Sequence, residues 1–434
     1  VTTSVSGLVS GMDTSTLVSQ LMQVEAAGQT RLKTKVSTEE KAVTAYQSVN
    51  TKLAAAENAA DELGKLATWR SAKATSSSST VSATTASGNS TQTGTVTFDV
   101  ISLSRAQVST TRAVSTGDAT SQSSISITKG DGTQSNVDIS ADRSLAGIAS
   151  AINGAGLGIK ATVVALEGGE SVLQMSSTKA GVANGFTIDA GFDTEIKTPT
   201  AASDAKLQVG GADADGGYSV TSTSNTFSNL IPGTSITVTK AGETGVTVDV
   251  ASDTSAITAK VKSLVDAMNG AFSEISKQTA YSSTSATKSS AAALAGDFSV
   301  RQISQRLLGT VSGGLEDFGS LSKLGISLTR DGTVSFDETK FKAAYEANPD
   351  AIKTATTSYA TKVKELSDKS QTGVTDVING RKSLIENMND QISSWDIRLA
   401  ARKTALTRQF SAMETSLSSL NNQSSWLSGQ LASL

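Results

Sequence analysis

Apolar residues recur at every seventh position along the C-terminal part of the chain: Ile378, Ile385, Ile392, Leu399, Leu406, Met413, Leu420, Leu427 and Leu434. Such a repeat predicts a helix whose seam faces another helix. Met388 and Trp395 follow members of this set by three residues, while Phe410, Leu417 and Leu431 follow by four. The seam therefore drifts around a long helix, spanning roughly 85 Å at about 1.5 Å per residue. A stripe of this length cannot hold the helix alone, so both flanks must pack against helices of this chain or of neighbouring chains.

From Leu8 to Leu66 the pattern is again helical, with Leu17, Leu21 and Val24 on one face. Leu32, Val36, Val43, Tyr46 and Leu53 then share one heptad register, which polar Glu39, Asn50 and Glu57 interrupt. This helix has a more limited apolar face than the C-terminal one, which is its expected partner. Between Trp69 and Thr95 the chain becomes rich in Ser, Thr and Ala, and its preference shifts to strands and turns.

The stretch from Thr95 to Val250 reads mostly as β-structure. Val96, Phe98 and Val100 alternate, and a one-residue slip to Ile101 and Leu103 predicts a bulge. Further strands are expected at 125–128, 159–164, 172–175, 186–188, 236–239 and 246–250, separated by glycine-bearing turns. One helix interrupts them: Ser144 can cap a segment with Leu145, Ile148 and Ile152 on one face, ending near Gly154.

Helical character returns after Thr254, where Val261, Leu264, Met268, Phe272 and Ile275 share a face, and again over Ala291 to Leu308. Asp331 and Gly332 predict a tight type I′ hairpin within Leu328 to Phe336. A short helix from Glu338 should end near Pro349. Helices at both ends thus enclose a β-rich middle, an out-and-back path that would bring the two termini together.

Composition narrows the chemistry. The 434 residues suggest about three domains, and an aromatic content of 4% predicts small aliphatic cores. With 37 basic and 40 acidic residues there is no basic stripe for nucleic acid and no polybasic membrane anchor. Histidine and cysteine are both absent, which removes imidazole bases, zinc clusters, thiolate nucleophiles and disulfides. A chain without cysteine fits the cytoplasm, and equally an exported protein that travels unfolded. The first ten residues lack the pattern of a cleaved secretory signal, and no apolar run is long enough to span a membrane.

Candidate sites reduce to simpler readings. Gly154 to Gly158, GAGLG, follows a helix and precedes a strand, opposite to the dinucleotide fingerprint, and reads as a turn. Asp213, Asp215 and Gly216 resemble the start of a calcium loop, but Ser224 stands where the bidentate glutamate belongs. Carboxylates such as Asp317 and Asp331 are not singled out as a catalytic pair. Arg398, Arg402, Lys403 and Arg408 form a basic cluster, read either as a solvated face or as a pairing surface for acidic residues of adjacent subunits.

The segment LTRQFSAMETSLSSLNNQSSWLSGQLASL, from Leu406 to Leu434, closely resembles the C-terminus of the flagellar filament-capping protein family, hook-associated protein 2. SGLVSGMDTSTLVSQLMQVE near the start, ASDAKLQVGG and NTFSNLIPGTSITV within Ala202 to Val238, and LSKLGISLTRDGTVSFDETKF at Leu321 to Phe341 agree with it in order. SLAGIASAINGAGLGIKATVV resembles a motif shared by flagellins and hook proteins, which does not distinguish cap from filament.

The resemblance implies a multidomain α+β fold, with a helical coiled-coil leg from both termini and discontinuous β-rich head domains. The expected division is a terminal helical domain (1–42 and 408–434), a helical leg domain (43–72 and 255–407), a β-rich head domain (73–118 and 199–254) and an outer α+β head domain (119–198). It implies assembly rather than catalysis: a homo-oligomeric ring, pentameric in many relatives, at the extracellular tip of the bacterial flagellum. There it would hold exported flagellin while it folds and polymerises, and its symmetry mismatch with the filament would let the legs step. Flagellin, hook–filament junction proteins and an export chaperone are the implied partners. No cofactor, nucleic acid or membrane insertion is implied, and export follows the flagellar type III route. Carried onto this sequence, oligomer and filament contacts fall on Leu8, Leu17, Leu21, Phe410, Leu417, Leu420, Leu427 and Leu431. Two other classes are weighed: an adhesin displaying Ser/Thr-rich head loops at the flagellar tip, and a cell-wall hydrolase needing a carboxylate pair.

Overall fold

A computed structural model describes residues 13–86, 91–115, 117–189, 195–211, 216–228, 230–283 and 289–431. The chain divides into two compact units, one built from residues up to Lys65 together with Thr258 onward, the other from Leu66 to Ile257. The multidomain α+β class expected from the sequence is the class observed.

The first unit is helical. Helices α1 (Thr14–Glu25) and α2 (Ala27–Gly64) replace the single N-terminal helix of the sequence reading, with an interruption at Ala26. A short α3 (Leu66–Trp69) opens the second unit, and α4 (Leu145–Gly154) lies within it. The helix α5 (Thr254–Thr279) buries Val261, Leu264, Met268, Phe272 and Ile275, the face its periodicity selects.

The expected helix over Ala291–Leu308 is shifted. Residues Ser289–Ala291 form a strand paired with Tyr281–Ser283, and α6 runs from Phe298 to Ser312. Gly296 at φ 87° breaks the chain ahead of it, and the Asp297 carboxylate accepts from the Ser299 and Val300 amides at its N-terminus.

The predicted hairpin forms between Ile326–Leu328 and Val334–Phe336, but its turn differs. The Thr329 amide donates to the Thr333 carbonyl and the Gly332 amide to the Thr329 carbonyl, leaving a three-residue loop with Gly332 at φ 75°. Pairing of Thr329 with Thr333 lengthens the loop beyond the expected two-residue turn. Asn269 on α5 clasps this hairpin by bonding both the amide and the carbonyl of Val334, at 2.8 and 2.7 Å. Helix α7 (Glu338–Ala347) follows, capped by Asp337, and α8 (Pro349–Leu431) continues for 83 residues, about 125 Å at 1.5 Å per residue.

The second unit contains two β-cores. A five-stranded antiparallel sheet is ordered Ala72–Ser76, Val246–Ser252, Gly94–Ser102, Ala205–Val209, Tyr218–Ser222. It shares a core with a three-stranded sheet of Thr226–Ser228, Thr234–Val238 and Val81–Thr85, filled by Phe98, Val100, Leu207, Ile236 and Val248. The predicted bulge is present: Leu207 pairs with Val100 and Lys206 with Ser102, leaving Ile101 unpaired and exposed.

The other core joins a four-stranded sheet (Lys197–Thr200, Val108–Thr110, Ser171–Ser177, Ile159–Ala165) and a three-stranded one (Gln134–Asp138, Ser124–Lys129, Phe186–Asp189) with α4. Ser144 accepts from the Gly147 amide to cap α4, which buries Leu145, Ile148 and Ile152. Gly156 and Gly158, both at positive φ, turn the chain from α4 into the next strand, as the helix-to-strand reading of GAGLG requires.

Candidate functional site

Helices α2 and α8 run antiparallel in a register fixed by polar pairs. The three residues that interrupt the apolar seam of α2 each meet a polar partner on α8. Glu39 pairs with Arg381, the Asn50 side-chain amide donates to Thr375 Oγ1 at 3.4 Å, and Glu57 accepts from Gln371 at 2.6 Å. Lys364 with Asp61 extends the series at one end, and Gln29 donating to Asp396 at 2.5 Å at the other. A polar residue in an otherwise apolar seam is costly unless paired, so these positions favour one register over its neighbours.

The Glu39–Arg381 pair belongs to a larger cluster. The Arg381 guanidinium lies over the Tyr46 ring, 5.2 Å from its centroid, and the buried Tyr46 hydroxyl donates to Asp297 at the start of α6. Burial pushes the Tyr46 phenol up, reinforced by its bond to Asp297. Burial alone would raise the Asp297 carboxyl, but hydrogen bonds from Ser299, Tyr46 and the Val300 amide outweigh it and hold it low. Three helices are thereby tied at one point.

Beyond the interruption at Ala26, α1 lies along the last third of α8. It turns Thr14, Val18 and Met22 inward and leaves Leu17, Leu21 and Val24 exposed. Asp13 caps α1, accepting from the Thr16 amide and hydroxyl and from the Ser15 hydroxyl. These bonds, the Thr16 hydroxyl first, hold its carboxyl down to about 2. Arg402 of the basic cluster pairs with Glu25 at 3.4 Å, and Arg398 lies over Trp395, 4.2 Å from the ring centroid. Lys403 lines the groove between α1 and α8, and Arg408 is exposed.

That groove, about 980 Å³, is lined by Val18 and Met22 on one side and by Leu399, Phe410, Glu414 and Ser418 among others on the other. Cover on α8 falls away toward its end. Ile378, Met388 and Leu406 are buried, and Ile385, Ile392, Leu399 and Met413 are half-buried. Leu420, Leu427 and Leu431 are 60%, 55% and 68% exposed. Trp426, at 65%, joins them.

Of the contact residues expected from the sequence, Phe410 lines the groove and Leu17, Leu21, Leu417, Leu420, Leu427 and Leu431 are exposed. Leu8, Leu434, Asp213 and Asp215 lie outside the described residues. The sequence reading passed over Val18 and Met22, whose four-residue spacing was the available signal, and Trp426, a large apolar residue in a polar stretch. No group of three or more acidic residues among the described residues could hold a metal ion, and no described helix is long and apolar enough to cross a membrane.

Known proteins resemble the chain along its length. Residues 202–422, more than half of the chain, match the family model for the C-terminus of flagellar hook-associated protein 2. Residues 10–107 match that for its N-terminus, and 124–179 match the flagellin hook IN motif. Flagellar hook-associated protein 2 of Escherichia coli K12 is 27% identical, covering 98% of this chain and 97% of its own length. The lateral flagellar hook-associated protein 2 of Vibrio parahaemolyticus is 33% identical over 44% of each chain. In fold, the chain is similar to the crystal structure of the D1-D2-D3 domains of the Escherichia coli flagellar cap protein FliD, with a TM-score of 0.56 at 24% identity, covering 78% of this chain and 99% of that one. With its paired terminal helices and β-rich middle matched together, the chain belongs to the flagellar hook-associated protein 2 family.

Proposed function

We propose that the chain is a subunit of the flagellar cap, forming a homo-oligomeric, pentameric ring at the distal tip of the filament. The ring retains exported flagellin and promotes its folding and polymerisation. The observation that carries this reading is the graded cover of the α8 stripe, which is packed as far as Leu406 and bare at Leu420, Leu427 and Leu431. An apolar face presented to water over several turns suits contact with other subunits. In this reading the exposed leucines of α1 and α8 meet filament and neighbouring cap subunits, while the β-rich unit supplies the plate above the exit channel. A heterologous interface that closes on itself gives such a ring.

The experiment is to delete Phe410 to Leu434 and express the product in a cell lacking its own cap protein. The β-rich unit should remain folded by circular dichroism and limited proteolysis, while filament growth is lost. Normal filaments from the truncated chain would defeat the proposal.

A further inference from the structure

The strand Ile159–Ala165 is the last of its four-stranded sheet and is bonded only to Ser171–Ser177. Its ladder fixes which backbone groups point outward. The Thr178 amide donates to the Gly158 carbonyl and the Leu166 amide to the Glu170 carbonyl, so the even-numbered residues between them face the neighbouring strand. Ala161, Val163 and Ala165 therefore present their amides and carbonyls to the open side. At Ala161 both groups are already taken by the Asn153 side chain, which accepts at 2.9 Å and donates at 2.8 Å. Val163 and Ala165 have no such partner among the described residues.

Free edges are ordinarily blunted by charge, proline or cover. Lys73 stands in the edge strand Ala72–Ser76 and Pro199 in the edge strand Lys197–Thr200. From Thr162 to Leu166, by contrast, the open edge carries no charge, and Val163, Val164 and Leu166 are 37%, 37% and 43% exposed. Charge stands only at its ends, with Lys160 at one and Glu167 and Glu170 at the other, none of them ion-paired among the described residues. Asn153 thus closes one half of the edge and leaves a two-residue window with opposite charges at its ends.

We propose that this window receives an extended polypeptide segment as an added antiparallel strand. Val163 and Ala165 supply the backbone hydrogen bonds, and Val164 and Leu166 supply apolar contact on one face of the sheet. Charge complementarity defines the guest. Running opposite to Ile159–Ala165, it places its N-terminal end at Glu167 and Glu170 and its C-terminal end at Lys160, so it is basic first, β-branched in the middle and acidic last. This surface uses residues apart from the terminal groove and does not rest on the capping reading.

The test uses the full chain and a capped, fluorescently labelled hexapeptide, KVTVTD, with the charge-reversed DVTVTK as its control. KVTVTD should bind more tightly than DVTVTK and should slow hydrogen exchange in the segment containing Val163 and Ala165. Val164→Lys, which adds an edge charge, and Ala165→Pro, which removes an outward amide, should each weaken binding about tenfold. Asn153→Ala, which frees Ala161, should tighten it. Binding unaltered by these three variants, protection elsewhere in the chain, or equal affinity for the two peptides would each overturn the proposal. So would concentration-dependent dimerisation abolished by Val164→Lys, because the occupant would then be a second copy of this edge.

Discussion

Gly28 stands against the indole of Trp395: a Cβ at this position would lie 2.9 Å from Trp395 Cζ2. The close approach falls two residues after the interruption between α1 and α2, where Gln29 also bonds to Asp396. A glycine within a helix ordinarily costs about 1 kcal/mol relative to alanine, so its use here is explained by space. Gly28→Val should displace the indole and lower stability by about 1–3 kcal/mol. Urea unfolding followed through tryptophan emission would measure the loss.

The cluster around Tyr46 yields a second prediction. Tyr46→Phe removes the hydroxyl bond to Asp297 while the ring remains beneath Arg381. Loss of one hydrogen bond to a charged group should cost about 1.5–3 kcal/mol. Asp297 is held low in the folded chain, so its contribution is present above the ordinary carboxylate value and is lost as pH falls through its folded value. The stability difference between wild type and Tyr46→Phe should therefore shrink on acidification, as denaturant titrations at successive pH values would record.

How much of this was legible in the sequence depends on whether apolar contrast marked it. The slip from Val100 to Ile101 announced its bulge, because moving an apolar residue off the alternating face leaves a visible fault in a period of two. Ser144 and the spacing of Leu145, Ile148 and Ile152 likewise defined α4. Strand Ala72–Ser76, built of Ala, Lys, Thr and Ser, offers little contrast between its faces. Ala205–Val209 does alternate, burying Ala205, Leu207 and Val209 between Lys206 and Gln208, but at five residues beside a glycine turn its period is too short to stand out. On α1 the largest apolar side chains, Leu17 and Leu21, are exposed, while Thr14 and Val18 are buried. Pairing with α8 chose the face, and that is a tertiary choice.

Asp13 provides a pH test at the groove. Its carboxyl is held down to about 2 by bonds to Thr16 and Ser15, so its capping contribution is complete above the ordinary value of 3.8 and disappears as pH falls through about 2. Protection factors for the first turn of α1 should hold steady down to pH 3.8 and decline below it. Asp13→Ala should show the low protection at every pH. Amide exchange by NMR distinguishes the two, and a wild-type first turn that loosens well above pH 3.8 would contradict the assignment.

The graded cover of α8 predicts opposite behaviour for two leucines on the same stripe. Leu406 is 7% exposed and Leu427 is 55% exposed. Leu406→Ala removes a buried side chain from the α8 stripe and leaves a cavity in its place, and should lower stability by about 2–5 kcal/mol. Leu427→Ser removes a side chain already in water, and should change stability by no more than about 0.5 kcal/mol. In the cap-deficient cell the order reverses under the proposed function. Leu427→Ser should shorten filaments although the isolated chain is as stable as wild type, because the lost contact is made only in the assembly. Thermal melts of the purified chains and filament lengths from the same variants separate the two effects. An unstable Leu427→Ser chain would place that residue in the fold, and full-length filaments would remove it from the contact surface.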